Sequence, residues 1–234
     1  MLKYFYQYFE SSSAADFTPN LTQAAQAGYQ TIYGVGYMLT DSVKAASKKY
    51  PKKNFVLIDS VITGRKNVAS VTFKSNEASY LGGLAAAYTT KTNKVGFIGG
   101  AKSSVLELFE AGFKQGVKDG AKALGKKITV YDQYIGNFTS TDKAKSIAQS
   151  MYTDGADIIY QAAGNGVFTE AKTRNKATTA AKKVWVIGVD VDQANLGNYT
   201  SKDGKKANFT LTSVLKGLRF ACKDIADKAY DGKF

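Results

Sequence analysis

The apolar positions of this chain gather in five short runs, each closed by Gly or Asp. They are Thr31-Ile-Tyr-Gly-Val-Gly36, Phe55-Val-Leu-Ile-Asp59, Val95-Gly-Phe-Ile-Gly-Gly100, Ile158-Ile-Tyr-Gln-Ala-Ala-Gly164 and Val184-Trp-Val-Ile-Gly-Val-Asp190. Runs of this length, rich in Val, Ile and aromatics and without polar residues at alternate positions, predict strands buried on both faces. Segments with apolar residues at helical spacing fill most of the gaps. Strand, helix, strand is the order of a parallel sheet with helices on both faces. Ligands of such sheets bind beyond the carboxyl ends of the strands. The Gly and Asp residues that close the runs therefore mark the floor of a binding site.

The same pattern predicts the remaining elements. Residues 3–9 read as a strand. Residues 11–16 form a polar turn, with Asp16 or Thr18 capping a helix over 18–27, Pro19 in its first turn and Gly28 at its end. Asp41 begins a helix with Val43, Ala46 and Ser47 inward, and residues 68–73 form a strand. Helix 76–89 has a small-residue face of Ala78, Leu81, Gly82, Ala85 and Ala86. Ser104 opens helix 105–124, with Leu106, Phe109, Phe113, Val117 and Ala121 on one side. Strand 128–134, a Thr141-capped helix to Met151, a helix over 167–174, a turn at Lys202-Asp-Gly-Lys205, strand 209–214 and helix 215–230 complete the chain. These are too many strands for one doubly wound sheet. Two sheets of similar build account for them, with residues 68–73 and 209–214 crossing between lobes. The expected division is 1–71 with 213–234 as a first lobe and 72–212 as a second, with the ligand in the cleft and closure by hinging.

Composition narrows the chemistry. The 234 residues are 44% hydrophobic and 22% charged, which suits a globular core. The net charge of +13 comes mostly from lysine, with only Arg65, Arg174 and Arg219 as arginines. Lysines scattered in pairs such as Lys48-Lys49 and Lys126-Lys127 read as solvated loops and helix ends, so no nucleic-acid partner is expected. Attraction to an anionic envelope surface is a further use of that charge. Cys222 is the single cysteine and histidine is absent. That leaves no internal disulfide, and neither the commonest zinc ligand nor the commonest general base. No cofactor is expected. No apolar stretch reaches the roughly 18 residues of a membrane span, and no signal peptide is visible. Gly96, Gly99 and Gly100 lack the Gly-Lys-Ser/Thr ending of a phosphate loop. Lys102-Ser-Ser104 reads as a loop and cap, and Glu77 as a helix-start acid.

A series of motifs carries a family resemblance. Phe55-Val-Leu-Ile-Asp59, Asn67-Val-Ala-Ser-Val-Thr-Phe73, Glu77-Ala-Ser-Tyr-Leu-Gly-Gly83, Lys94-Val-Gly-Phe-Ile-Gly-Gly100, Phe109-Glu-Ala-Gly-Phe113, Gly164-Asn-Gly-Val-Phe168, Ile187-Gly-Val-Asp-Val-Asp-Gln193 and Leu211-Thr-Ser-Val-Leu-Lys216 together resemble the basic membrane protein (BMP) family. These are substrate-binding lipoproteins of nucleoside ABC transporters. The resemblance implies an α/β fold of the two-lobe periplasmic-binding-protein type, a purine nucleoside ligand, an ABC permease as partner and no enzymatic activity. It implies an extracytoplasmic location through a lipid anchor that this chain lacks. Carried across by motif, Asp59 would bond the purine edge and Phe168 would stack on the base. Gly164 would admit the ligand to the backbone, and Asp190 and Lys216 would hold the ribose hydroxyls. Asp192 is not separable from Asp190 at this stage.

Each residue has a plainer reading. Without the resemblance Phe168 is equally a core residue, Asp59 and Asp190 can cap the segments that follow them, and Lys216 reads as a solvated lysine until its place beside the second crossover is counted. Three other functions stay open: a nucleoside-processing enzyme, a sugar- or purine-sensing effector domain, and a truncated fragment that binds nothing. Against the family pattern the chain opens at the second strand. The first lobe is therefore expected to be incomplete and the less stable of the two.

Overall fold

The computed structural model describes residues 5–234. The chain forms two compact units, one running up to Phe73 and resuming over Gly217–Phe234, the other spanning Lys74–Lys216.

The first unit contains α1 (Phe17–Gln26), β1 (Thr31–Val35), α2 (Thr40–Lys49), β2 (Asn54–Ile58) and β3 (Val68–Val71). Its strands form a parallel three-stranded sheet in the order β1-β2-β3. Phe55 and Leu57 of β2 pack with Leu21, Ala24 and Ala25 of α1 and Val43 and Ala46 of α2. The expected strand at residues 3–9 is corrected for residues 5–9, which are irregular; residues 3 and 4 lie outside the described part. A strand exists through its ladder of backbone hydrogen bonds, and residues 5–9 have no ladder among the described residues. Side chains anchor the segment instead. Tyr29 donates to Gln7 at 3.1 Å, and its ring meets Phe9 edge-on at 6.0 Å. Asp16 does not cap α1 through its side chain. Its carboxylate accepts the Ser12 and Ser13 N–H groups at 2.9 and 2.8 Å, closing the turn before the helix.

The second unit contains α3 (Ser75–Thr89), β4 (Lys94–Gly99), α4 (Ser104–Ala123), β5 (Thr129–Tyr134), α5 (Thr141–Thr153), β6 (Ile158–Ala162), α6 (Gly166–Lys176), β7 (Trp185–Asp190), the antiparallel hairpin β8 (Asn198–Thr200) and β9 (Lys206–Asn208), and β10 (Thr210–Leu215). Its five-stranded parallel sheet has the order β10-β7-β6-β4-β5. Ile98, Ile159 and Val186 face a core shared with α5 and α6. Phe97 and Tyr160 face the other way, against Phe109 and Phe113 of α4. Burial on both faces is the physical reason why these strands read as unbroken apolar runs.

The helices on the second face touch backbone to backbone. A Cβ on Gly83 would run into the Phe113 carbonyl, and one on Gly116 into the Tyr80 carbonyl. This crossing holds α4, and with it Phe109, close to the sheet. The chain returns to the first unit for α7 (Leu218–Tyr230), where Tyr33 of β1 donates to the Cys222 carbonyl at 3.0 Å. Cys222 is half-buried, and burial pushes its thiol pKa up, away from a reactive thiolate.

Candidate functional site

The order of the second sheet fixes where a ligand site belongs. The chain steps from β4 outward to β5, then returns past β4 to β6, β7 and β10. Its direction therefore reverses between β4 and β6, and the carboxyl end of such a switch point is where open α/β sheets bind ligands. Three backbone segments meet there. Gly100 donates its N–H to the Ala162 carbonyl at 2.9 Å, and Gly136 donates to the Gly100 carbonyl at 3.0 Å. Phe138 lies over Gly100, so that a Cβ on Gly100 would enter its ring. Gly164, in left-handed conformation at φ 91°, faces the Phe138 carbonyl from the end of β6. Asn137 fixes this loop by accepting the N–H groups of Thr139 and Ser140 at 3.0 and 2.8 Å, an Asx turn. Phe138 is left 41% exposed, a flat apolar face held at the switch point.

Asp190 closes β7, and Lys216 follows the facing end of β10. Their backbones are joined by the Lys216 N–H donating to the Asp190 carbonyl at 3.0 Å. Their side chains form an ion pair at 3.2 Å, with Asp190 50% and Lys216 10% exposed. The Lys216 ammonium also sits 5.2 Å from the centre of the Phe109 ring. Asp190 has φ 65°, and Val191 donates its N–H to the Val189 carbonyl at 2.7 Å. An i to i+2 hydrogen bond around a positive φ is the mark of a strained γ-turn. Strain of this kind collects at ligand clamps. The pair offers an acceptor and a donor side by side, the chemistry that a vicinal diol needs.

The first unit has a matching feature. Asp59 follows β2 with φ 67°, and its N–H donates to the Val71 carbonyl at 2.8 Å. It is half-buried. Both acids named from the sequence thus occupy left-handed positions at the carboxyl end of a parallel strand, where a non-glycine residue is uncommon.

Two further residues named from the sequence are placed as follows. Phe168 is 4% exposed and belongs to the core of the second unit, its ring 6.0 Å from that of Phe209. The structure thus places Phe168 among core side chains, and the stacking role that the resemblance gives it stays an expectation. Asp192 separates from Asp190: its carboxylate accepts the Ala194 N–H at 2.9 Å and shapes the turn after β7. Phe138 was missed. Its sequence signal is the turn chemistry of Gly136-Asn137 directly after a strand.

A charged cluster lies beside β5. Tyr134 donates to Glu110 at 2.6 Å, and Lys114 bonds Glu110 and lies 3.1 Å from Asp132. Burial works against the ionised Glu110, but the bonds from Lys114 and Tyr134 outweigh it and hold its carboxyl below the usual range. Burial also raises the Tyr134 hydroxyl, reinforced by its bond to Glu110. This cluster ties α4 to β5. Among the described residues, no group of three or more His, Cys, Asp or Glu side chains is placed to hold a metal ion. None of their helices is long and apolar enough to cross a membrane.

The model for PnrA-like ABC transporter substrate-binding proteins matches residues 2–234. The ABC transporter nucleoside-binding protein BmpA of Lactococcus lactis is 52% identical over 98% of this chain and 65% of its own length. A CD4+ T-cell-stimulating antigen of Listeria monocytogenes is 47% identical over 98% of this chain, which spans 64% of that relative. Among solved structures, a solute-binding protein of an ABC transporter system from Aeropyrum pernix superposes with a TM-score of 0.68 at 27% identity, covering 78% of this chain and 52% of that one. The parallel sheets flanked by helices are therefore those of periplasmic-binding-protein-like solute receptors, and the chain belongs to the PnrA-like family of ABC transporter substrate-binding proteins.

Proposed function

We propose that this chain binds a purine nucleoside and delivers it to an ABC permease on the extracytoplasmic side of a membrane. The observation that carries the reading is the Asp190–Lys216 pair, held on a left-handed strand end in the same sheet edge as the exposed ring of Phe138. In this reading Asp190 accepts hydrogen bonds from the ribose hydroxyls and Lys216 donates to them. Charged hydrogen bonds of this kind contribute about 1.5–3 kcal/mol each. Phe138 takes the stacking role, worth about 1–3 kcal/mol per base by analogy with single-strand binders. Gly164 leaves room for the ligand beside the backbone. Asp59 hydrogen-bonds the purine edge in this reading, and a base that cannot donate to its carboxylate binds more weakly, which gives selectivity. Family membership supports a binding role over an enzymatic one, because these relatives are substrate-binding proteins.

A thermal-shift panel of adenosine, guanosine, inosine, cytidine, uridine, ribose and galactose tests this. Ligand at one hundred times its dissociation constant adds about 2.7 kcal/mol. For a chain of this size the melting temperature then rises by about 5–10 °C. Purine nucleosides should produce the rise. A rise with galactose alone moves the chain to sugar binding, and no rise with any of them refutes ligand binding by this chain.

A further inference from the structure

The left-handed turn at Asp190 is held by a side chain that comes back over it. Gln193 lies three residues further on, yet its Oε1 accepts the Val189 N–H at 2.9 Å, immediately before the turn. The same oxygen accepts from Gln161 Nε2 at 2.9 Å. Gln161 sits on β6, fully buried, and its own Oε1 accepts the Ala163 N–H at 3.2 Å. The Gln193 N–H donates to Ser213 Oγ of β10 at 3.1 Å, and Thr210 Oγ1 donates to the Gln193 carbonyl at 3.3 Å. One residue thus joins β6, β7 and β10 beside the acid that closes β7.

The sequence makes room for this. Gly188 lies under the Gln193 amide, and a Cβ there would stand 2.6 Å from Gln193 Oε1 and 2.7 Å from Ser213 Oγ. A fully buried glutamine is uncommon, and among the described residues this one bonds Gln193 and the Ala163 N–H just past its own strand. Strained backbone persists only where its surroundings over-determine it. Here the bonds on either side of Asp190 run through Gln193 and, by way of β10, through the Lys216 N–H.

We infer that Gln193, supported from below by Gln161, is a positioning residue. It clamps the strained turn so that the Asp190 carboxylate stands beside Lys216 in the orientation that receives the nucleoside. The inference rests on the reading of Asp190 as a ligand residue, but its first consequence concerns the turn and needs no ligand. Released from the clamp, the turn relaxes and binding must restore it, which weakens affinity by about tenfold to a hundredfold.

The test compares Gln193→Met, which removes the acceptor, with Gln193→Glu, which keeps it. Gln161→Leu removes only the support and serves as a second variant should Gln193→Met fold poorly. Amide hydrogen exchange in the ligand-free chain reads the turn at Val191 and Lys216, and calorimetric titration with inosine reads affinity, with Asp190→Asn as reference. The expected result is exchange at both amides at least about tenfold faster in Gln193→Met, weaker inosine binding, and recovery of both in Gln193→Glu. Unchanged exchange in Gln193→Met overturns the clamp whatever the affinity. Faster exchange with wild-type affinity overturns the positioning role and, if Asp190→Asn binds weakly, leaves the reading of Asp190 standing. Wild-type affinity in Asp190→Asn as well removes that reading and the inference together.

Discussion

Replacing Gly116 by alanine pits two effects of opposite sign against each other, and the structure says which wins. In the interior of a helix, Ala is favoured over Gly by about 0.8–1.0 kcal/mol. Gly116 lies in the middle of α4, so propensity alone predicts a more stable protein. The new Cβ, however, would press on the Tyr80 carbonyl oxygen and stand 2.9 Å from the Tyr80 carbonyl carbon and 3.0 Å from the Leu84 nitrogen. These are backbone atoms of α3, which no rotamer change can move aside. Gly83 on α3 presents the same problem in return, since its Cβ position lies 3.0 Å from the Gly116 Cα. The helices must therefore separate along the whole crossing. Overpacking typically costs about 1–3 kcal/mol, and a clash with backbone lies at the upper end. Less the propensity gain, Gly116→Ala should destabilise the second unit by about 2 kcal/mol, a fall of about 4–8 °C in melting temperature. Thermal unfolding followed by circular dichroism measures it, with exposed Lys118→Ala on the same helix as a near-neutral control. A Gly116→Ala protein as stable as wild type, or more so, refutes the close crossing.

Three further outcomes are expected. Phe138→Ala should leave the melting temperature within about 2 °C of wild type and weaken nucleoside binding by about fivefold to a hundredfold, read by titration calorimetry. Phe168→Ala should do the reverse in its primary effect, costing about 3–5 kcal/mol of stability through a cavity beside Phe209; equal melting temperatures for the two variants would contradict their assignments. The carboxyl of Glu110 is held below its usual range in the folded chain, so its contribution to stability is present above the unfolded-state pKa, about 4.3, and is lost as pH falls through the lower folded value. Melting temperature followed from pH 6 to pH 3 should accordingly fall less steeply in Glu110→Gln than in wild type, and parallel curves would show that the cluster adds nothing.

The strands were legible where burial on both faces leaves a continuous apolar run, as in β2, β4, β6 and β7. Asp59 and Asp190, which close two of these runs in the sequence, stand at left-handed positions that few residue types tolerate. Phe138 was not legible. It follows the edge strand β5, whose residues are mostly exposed, so no run announces it, and its place is set by Gly100, far away in sequence. Phe168 shows the opposite difficulty. An aromatic just after a strand suits a core and a ligand pocket equally well in sequence, and the ring packed against it, Phe209, lies far along the chain. Residues 5–9 carry a strand-like composition, but pairing is a property of two segments, and composition speaks for one. The return of Gln193 onto Val189 left its trace in Gly188, a glycine that sequence reading assigned only to the run itself.

The central claim is that the carboxyl edge carrying Asp190 and Lys216 holds a purine nucleoside. Titration calorimetry of the chain with inosine, beside the Asp190→Asn protein, tests it most directly. Asp190→Asn keeps the size of the side chain and removes the charge facing Lys216. The account predicts saturable one-to-one binding by the wild-type chain, weakened by at least about tenfold in Asp190→Asn, since loss of one charged hydrogen bond costs about 1.5–3 kcal/mol. Equal affinity in the two proteins, or no heat of binding in either, would contradict it.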